Sequence, residues 1–291
     1  IEADEYQNKL KHYNPQIILL NNIDYDHPDF FKTKNSYQKA FADFVKRAPK
    51  NGIVIANFDD QNVVKACQNI KAKVVSYGKT NKQVKYQELS IKKGYQYFEI
   101  YYKNKNLGEF KIQLIGEHNV QNATAVIATC LELKVSLKKI KKALAKFKGT
   151  ARRLEILGKY KGAVITDDYA HHPVEVKATL NAVRQKYPSQ NIICAFMPHM
   201  FSRTKALFND FSKSFSDADE ILILPTYSSA RENKTYEISK NLVKKIKHNA
   251  KYISSIKSCA TYLKKKVSKN DIVILMGAGD TFRVWDEMKK K

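Results

Sequence analysis

Residues 167–175, DDYAHHPVE, crowd two acids, a tyrosine and two adjacent histidines between the apolar run AVIT and a helix-like segment that opens at Pro173. In an open α/β sheet the loops at the carboxyl ends of strands present side chains and helix N-termini to a crevice, and ligands bind there. Pro173 suits a first helical position, where a missing N–H costs nothing, so residues 167–172 form the turn itself. Asp168 and the histidines then have two readings, a helix cap with mutual pairing or a ligand site; one capping side chain would satisfy the first. MPHMFSRT, residues 197–204, repeats the situation after the strand-like NIICAF. A guanidinium at Arg203, beside His199, suits a carboxylate or a phosphate, although a spacing of four also fits a solvated helix face.

Other candidates are weaker. GAGD, Gly277 to Asp280, follows DIVILM but has Phe282 where a dinucleotide fingerprint needs its last glycine. YGKT, at Tyr77 to Thr80, contains the G-K-T of a phosphate-binding loop, yet Lys73 stands where that pattern requires glycine, which makes the segment a turn. No intact phosphate-binding loop occurs in these 291 residues. Glu2 in IEADE and His27 in NNIDYDH each read as following a strand, and a carboxylate and an imidazole at neighbouring strand ends could hold Mg²⁺, directly or through water; a surface ion pair is the alternative. GEHNVQNATA places His118, Asn119 and Asn122 around a helix start, where amides can hydrogen-bond a purine edge; Asn119 also fits a plain N-cap.

The elements that must position these residues follow from periodicity. QIILLNNI reads as a buried strand and SYQKAFADFVKRA as a helix with Tyr37, Ala40, Phe41, Phe44 and Val45 on one stripe; GIVIAN, QNVVKACQNI and KVVSYG continue as strand, helix and strand. Residues 85–115, rich in Tyr, Phe and Ile and broken by KKG and KNKNLG, predict antiparallel strands, and two helices follow up to Gly149. After GTARRLEILGKYKG a βα rhythm resumes through AVITDD, NIICAFM, EILILP and DIVILMG. The prediction is an α/β chain of two domains, 1–149 and 150–291, the second Rossmann-like.

Composition narrows the classes. A 43% hydrophobic content is ordinary for a globular protein, and the longest N-terminal apolar run, Ile17 to Leu20, is far short of a bilayer span, so a soluble protein without membrane insertion is expected. IEADEYQNK has neither a basic n-region nor an apolar h-region, hence no readable secretion signal. The four cysteines, over sixty residues apart, make no C-x-x-C pair; reduced thiols and a cytoplasmic location are the simpler expectation. The formal charge of +24 attracts nucleic acid, membranes and phosphorylated small molecules alike, but only seven residues are arginine and no aromatic-interleaved RNA motif occurs, so no nucleic-acid partner is expected.

Taken in order, EADE, NNIDYDHPD, GEHNVQNA, GTARRLEILG, DDYAHHPVEVKATL, MPHMFSRT, SSARE and GAGD resemble the Mur ligase family over nearly the whole chain. The resemblance implies an ATP-dependent, amide-forming ligase of peptidoglycan synthesis that phosphorylates a muramoyl carboxylate to an acyl phosphate. DDY with PHMFSRT points to the alanine-adding type, whose partners are UDP-N-acetylmuramate and L-alanine; a murein tripeptide ligase or a noncatalytic binding module are the alternatives. It assigns Glu2 and His27 to Mg²⁺, His118, Asn119 and Asn122 to adenine, and Arg153 and Asp168 to ATP phosphate and ribose. Tyr169, His171, His199 and Arg203 go to the amino acid and the muramoyl end, with His171, His199 and Arg203 catalytic. The crowded turn would then be half of an active site that closes against the central domain. Family members carry a UDP-binding domain and a phosphate-binding loop ahead of EADE, so residues 1–149 are expected to be part of a central ATP-binding domain, 150–291 the complete last domain, and the 291 residues alone inactive. Oligomeric state is not legible.

Overall fold

The structure, a computed structural model, describes residues 1–80, 82–228, 237–247 and 249–290 as two compact units, 1–148 and 149–291. In the first, β1 (Ile17–Leu20), α1 (Lys34–Val45), β2 (Ile53–Asn57), α2 (Gln61–Ala66) and β3 (Lys73–Gly78) give three parallel strands. β4 (Val84–Lys92) joins β3 in parallel through Tyr77 and Gly78, and β5 (Tyr95–Tyr102) and β6 (Lys105–Ile112) extend the sheet antiparallel, in the order β1 to β6. α3 (Glu117–Glu132) and α4 (Leu137–Lys146) complete the unit.

Alternation along β2 explains its two cores: Val54 and Ala56 pack with Leu20, Tyr37 and Val45, whereas Ile55 packs with Val75, Tyr77, Ile100 and Ile127. β2 is covered on both faces, the usual condition for a parallel strand, whereas β1 at the edge leaves Ile17 and Leu19 exposed. α1 starts where Thr33 and Ser36 form a reciprocal cap, and it buries Tyr37, Ala40, Phe44 and Val45 of the expected stripe.

In the second unit β7 (Glu155–Tyr160) and β8 (Ala163–Asp168) form an antiparallel hairpin. The segment read as preceding the βα rhythm therefore contains a strand, Glu155–Tyr160. Its two-residue turn, Lys161 and Gly162, has positive φ at both positions, the geometry that matches strand twist. Then come α5 (Pro173–Lys186), β9 (Asn191–Phe196), α6 (Phe201–Ala206), α7 (Phe208–Lys213) and β10 (Glu220–Ile223). α8 (Ile238–Lys245), β11 (Ala250–Tyr252), α9 (Ile256–Lys266), β12 (Asp271–Met276) and α10 (Arg283–Lys289) follow. The helix expected across TKALFNDFSKSF is interrupted at Leu207, and β11 is a three-residue strand that the periodicity did not mark.

The sheet order is β11-β10-β9-β12-β8-β7, parallel except for β7. Every residue of β12 is buried, as befits a central strand covered on both faces. The chain leaves β9 outward for β10 and β11 and returns to insert β12 between β8 and β9. Met276 is thereby in register with both Asp168 and Phe196, so the turns after β8, β9 and β12 emerge side by side.

Candidate active site

Asp168 ends β8 and is 3% exposed. Its Oδ2 accepts the Leu154 N–H at 2.8 Å, and its Oδ1 accepts the Ala170 N–H at 2.9 Å and the Thr179 hydroxyl at 3.2 Å. Burial pushes its carboxyl above the usual range, against the pull of those donors and of Arg153. The side chain faces inward and holds the turn together, whereas the sequence reading sent it toward a nucleotide. Arg153, by contrast, is exposed, its guanidinium 5.8 Å from the centre of the Tyr169 ring.

His172, not Asp168, caps α5, with its ring accepting from the Val174 N–H, while Glu175 Oε2 accepts the N–H groups of His171 (2.9 Å) and His172 (3.2 Å). This reciprocal arrangement stiffens the turn. The capping and ligand readings thus divide between neighbours: Asp168 and His172 organise, and Tyr169, 37% exposed, and the partly buried His171 stand at the surface. His171 Nδ1 lies 2.9 Å from the Tyr169 carbonyl and 3.5 Å from Glu175 Oε2.

The turn after β9 arrives beside them. Met200, at φ 70°, is the N-cap of α6, in whose first turn Arg203 is 2% exposed. Arg203 lies on no solvated helix face. It donates to His199 Nδ1 at 3.2 Å and to the His199 carbonyl at 3.3 Å. The rings of Tyr169, His171, His199 and Tyr227 form a continuous row, with successive centroids 5.3, 6.0 and 5.5 Å apart. His199 and Tyr227 are stacked at 11° and bridged through their backbones. A cleft of ≈ 580 Å³ opens beside Tyr227, lined among others by Met197, Phe201, Pro225, Ile256 and Asp280. Of SSARE only Ser228, also on this cleft, belongs to the described residues.

Sequence reasoning missed Arg152, Glu175 and Tyr227. The H-x-x-E spacing of a capping box was available for Glu175, and Tyr227 follows an obvious strand; nothing local distinguished Arg152 from Arg153.

In the first unit the Tyr77 hydroxyl donates to Asn21 Oδ1 at 2.9 Å, and Asn21 donates to Asn122 Oδ1 at 3.3 Å, a relay from β3 past the end of β1 to α3. Asn122 is exposed and His118 partly buried. Asn119 donates back to the Ile115 carbonyl and lies 3.1 Å from His118, a local turn-holding role, while Gly116 is the N-cap. Lys79 pairs with Glu117 at 2.6 Å, and its backbone N–H donates to Asp59; YGKT, expected as a turn, is half strand, because Tyr77 and Gly78 end β3 and pair with β4. His27 Nε2 lies 3.3 Å from Glu5 and 3.9 Å from Asp26, and Glu2 is exposed. Among the described residues no three carboxylate, imidazole or thiolate side chains converge as a metal site, and Mg²⁺ is commonly held by one or two protein groups with phosphate and water completing the set. All four cysteines are free thiols; burial pushes Cys67 up to about 11 and Cys259 to about 12, which leaves them inert as nucleophiles. No helix among the described residues is long and apolar enough to cross a membrane.

Comparison with known proteins finds relatives of both units. Residues 1–130 match the Mur ligase middle domain, and residues 152–279 match the Mur ligase, glutamate ligase domain. The UDP-N-acetylmuramate--L-alanine ligase of Clostridium acetobutylicum is 39% identical over 295 residues, spanning 100% of this chain and 64% of that protein. The chain thus spans slightly under two thirds of the length of the curated relatives it matches. A UDP-N-acetylmuramate-alanine ligase from Thermotoga maritima superposes with a TM-score of 0.76 at 22% identity, over 99% of this chain and 62% of its own. A MurF ligase from the same organism, in complex with ADP, gives 0.77 at 18% identity, over 97% of this chain and 64% of its own. With the Mur ligase middle and C-terminal domain matches in sequence order over residues 1–130 and 152–279, the chain belongs to the Mur ligase family.

Proposed function

We propose that this chain carries the adenine-binding and amino-acid-binding parts of an ATP-dependent ligase that joins L-alanine to UDP-N-acetylmuramate in peptidoglycan synthesis. The observation that carries this reading is the row Tyr169, His171, His199 and Tyr227 with Arg203 beneath it, in a chain 39% identical along its whole length to such a ligase. ATP supplies the activation: transfer of its terminal phosphoryl group converts the muramoyl carboxylate to an acyl phosphate, which the alanine amine attacks.

The two histidines divide the proton chemistry. A carbonyl oxygen only accepts, so the bond from His171 Nδ1 to the Tyr169 carbonyl requires the proton on Nδ1, and neutral His171 presents an accepting Nε2. A guanidinium only donates, so His199 Nδ1 accepts from Arg203, and neutral His199 carries its proton on Nε2 as a donor. His171 takes the proton of the attacking ammonium, and His199 with Arg203 meets the developing negative charge. Tyr169 bounds the amino-acid side, and Arg153 reaches a phosphate. Asp168 holds the turn that bears Tyr169 and thus acts indirectly. In the first unit, Asn122 and His118 take the adenine edge, with Asn119 holding their turn; Glu2 and His27 would serve Mg²⁺ only with phosphate and water completing the set. A cytoplasmic location follows, because ATP and a nucleotide-linked sugar are both substrates.

A coupled phosphate-release assay on the full-length gene product tests this. Release that requires both L-alanine and UDP-N-acetylmuramate is expected. Release with a murein tripeptide but not with L-alanine would transfer the protein to the recycling type, and none with either would overturn the reading.

A further inference from the structure

We propose that Arg152 is a positioning residue for amino-acid binding: its planar guanidinium clamps the turn that carries Tyr169, at one end of the aromatic row, to the turn after β12, which packs against Tyr227 at the other. One nitrogen, Nε, donates to Asp167 Oδ2 at 2.9 Å, while Nη2 donates to the Gly277 carbonyl at 2.7 Å and the Gly279 carbonyl at 3.1 Å. The guanidinium also lies 4.8 Å from the Tyr169 ring and 5.1 Å from the Phe282 ring. One side chain therefore joins the entry to β7, the end of β8 and the turn after β12.

Its backbone is committed as well. The Arg152 carbonyl accepts the Tyr169 N–H at 2.7 Å, and its own N–H donates to Glu155 at 2.8 Å. Arg152 and Leu154 both have left-handed φ, 59° and 49°, a costly conformation for such side chains that persists only where surroundings over-determine it. Here the return is specific, because Leu154 in that geometry delivers its N–H to Asp168.

The two ends of the row are reached by different routes. Tyr169 is gripped directly, by ring and by backbone. Tyr227 is reached through Gly279, where a Cβ would stand 2.9 Å from the Tyr227 ring, and through Gly277, where one would stand 2.6 Å from the Met197 carbonyl. The turn after β12 is thus pressed against the wall that carries Tyr227, and the Arg152 fork holds its two carbonyls in place. Lysine could supply the charge that Asp167 needs but neither the fork nor the flat face between Tyr169 and Phe282. Loss of the fork should misplace the amino acid more than it weakens the sheet.

This inference rests on the ligase reading for its kinetic arm and is independent of it in its structural arm. In the full-length protein, Arg152→Lys is expected to raise KM for L-alanine about tenfold or more, with a much smaller change in kcat and in KM for ATP. Hydrogen exchange should quicken in residues 167–171 and 277–282 and stay unchanged in β9 and β10. The double variant Arg152→Met with Asp167→Asn removes the partly buried and the buried charge together, so it is expected to fold while losing the clamp, and it should show the same two local changes. Wild-type KM and wild-type exchange in Arg152→Lys would overturn the proposal. So would faster exchange across the whole sheet with a lowered melting temperature in both variants, which marks a general structural role. If the wild-type protein fails to ligate alanine, the ligase reading falls, and the exchange pattern alone still decides whether Arg152 clamps the two turns.

Discussion

The guanidinium of Arg203 lies 3.2 Å from Nδ1 of His199, one helical turn earlier in the chain, and is 2% exposed. A buried cation that donates to an imidazole fixes both the tautomer and the direction of that ring.

Arg203→Ala removes the donor and a buried charge together. A charge-assisted hydrogen bond is worth about 1.5–3 kcal/mol, so kcat/KM for ligation should fall about 10- to 100-fold, accompanied by a lower melting temperature because the site is buried. Arg203→Lys keeps the charge without the fork and should fall between. Steady-state kinetics beside thermal unfolding will show this; an unchanged kcat/KM in Arg203→Ala removes the residue from the site.

Tyr169 stands edge-on to His171 and is 37% exposed, so its ring shapes a surface instead of filling a core. Tyr169→Ala should alter selection among alanine, serine and glycine with little change in stability. Competition assays with the three amino acids are the check, and equal losses for all three would rule out a selective role.

On the proposed adenine side, Tyr77→Phe deletes the first donor of the relay through Asn21 to Asn122. Tyr77 is fully buried, so the lost bond should cost about 1 kcal/mol of stability and raise KM for ATP while KM for alanine stays put. A rise in both constants, or in neither, speaks against the relay.

Glu220, at the amino end of β10 and 2% exposed, meets Lys251 and Lys266 at 2.9 Å each and accepts from the Tyr262 hydroxyl at 2.5 Å. Burial raises its pKa, but Tyr262, Lys251 and Lys266 outweigh burial, and the net direction is downward. The sign follows: its contribution to stability is complete above its ordinary value of 4.5 and is lost as pH falls through the depressed folded value. Glu220→Gln should therefore lower the melting temperature at neutral pH and narrow its gap from wild type below pH about 4. A gap that is constant with pH would show that the network contributes no ionic stability.

Local chemistry made much of this legible. The period of two in YQYFEIYY, the helical stripe of SYQKAFADFV and Pro173 at the start of a helix are each encoded within a few neighbouring residues, and those elements form as expected. The strand LEILGKY was harder to read because β7 is an edge strand whose residues are all at least partly exposed, leaving little apolar alternation.

What the sequence by itself determined, then, is most of the strands and helices, the family, and the placing of DDYAHHP and MPHMFSRT at the carboxyl ends of strands, all properties of short stretches of chain, although Asp167 and Asp168, expected in the turn, are the last residues of β8. Only the tertiary structure decided which of their side chains face inward. Asp168 turns in because three donors from residues 154, 170 and 179 meet it there, and Arg203 is buried with its guanidinium bonded to the ring and carbonyl of His199. Only the tertiary structure, too, joined Arg152 to Gly277 and Gly279, more than a hundred residues away. The physical reason is the insertion of β12 between β8 and β9. Strand order is set by pairing between distant segments, and no local pattern in either partner records it.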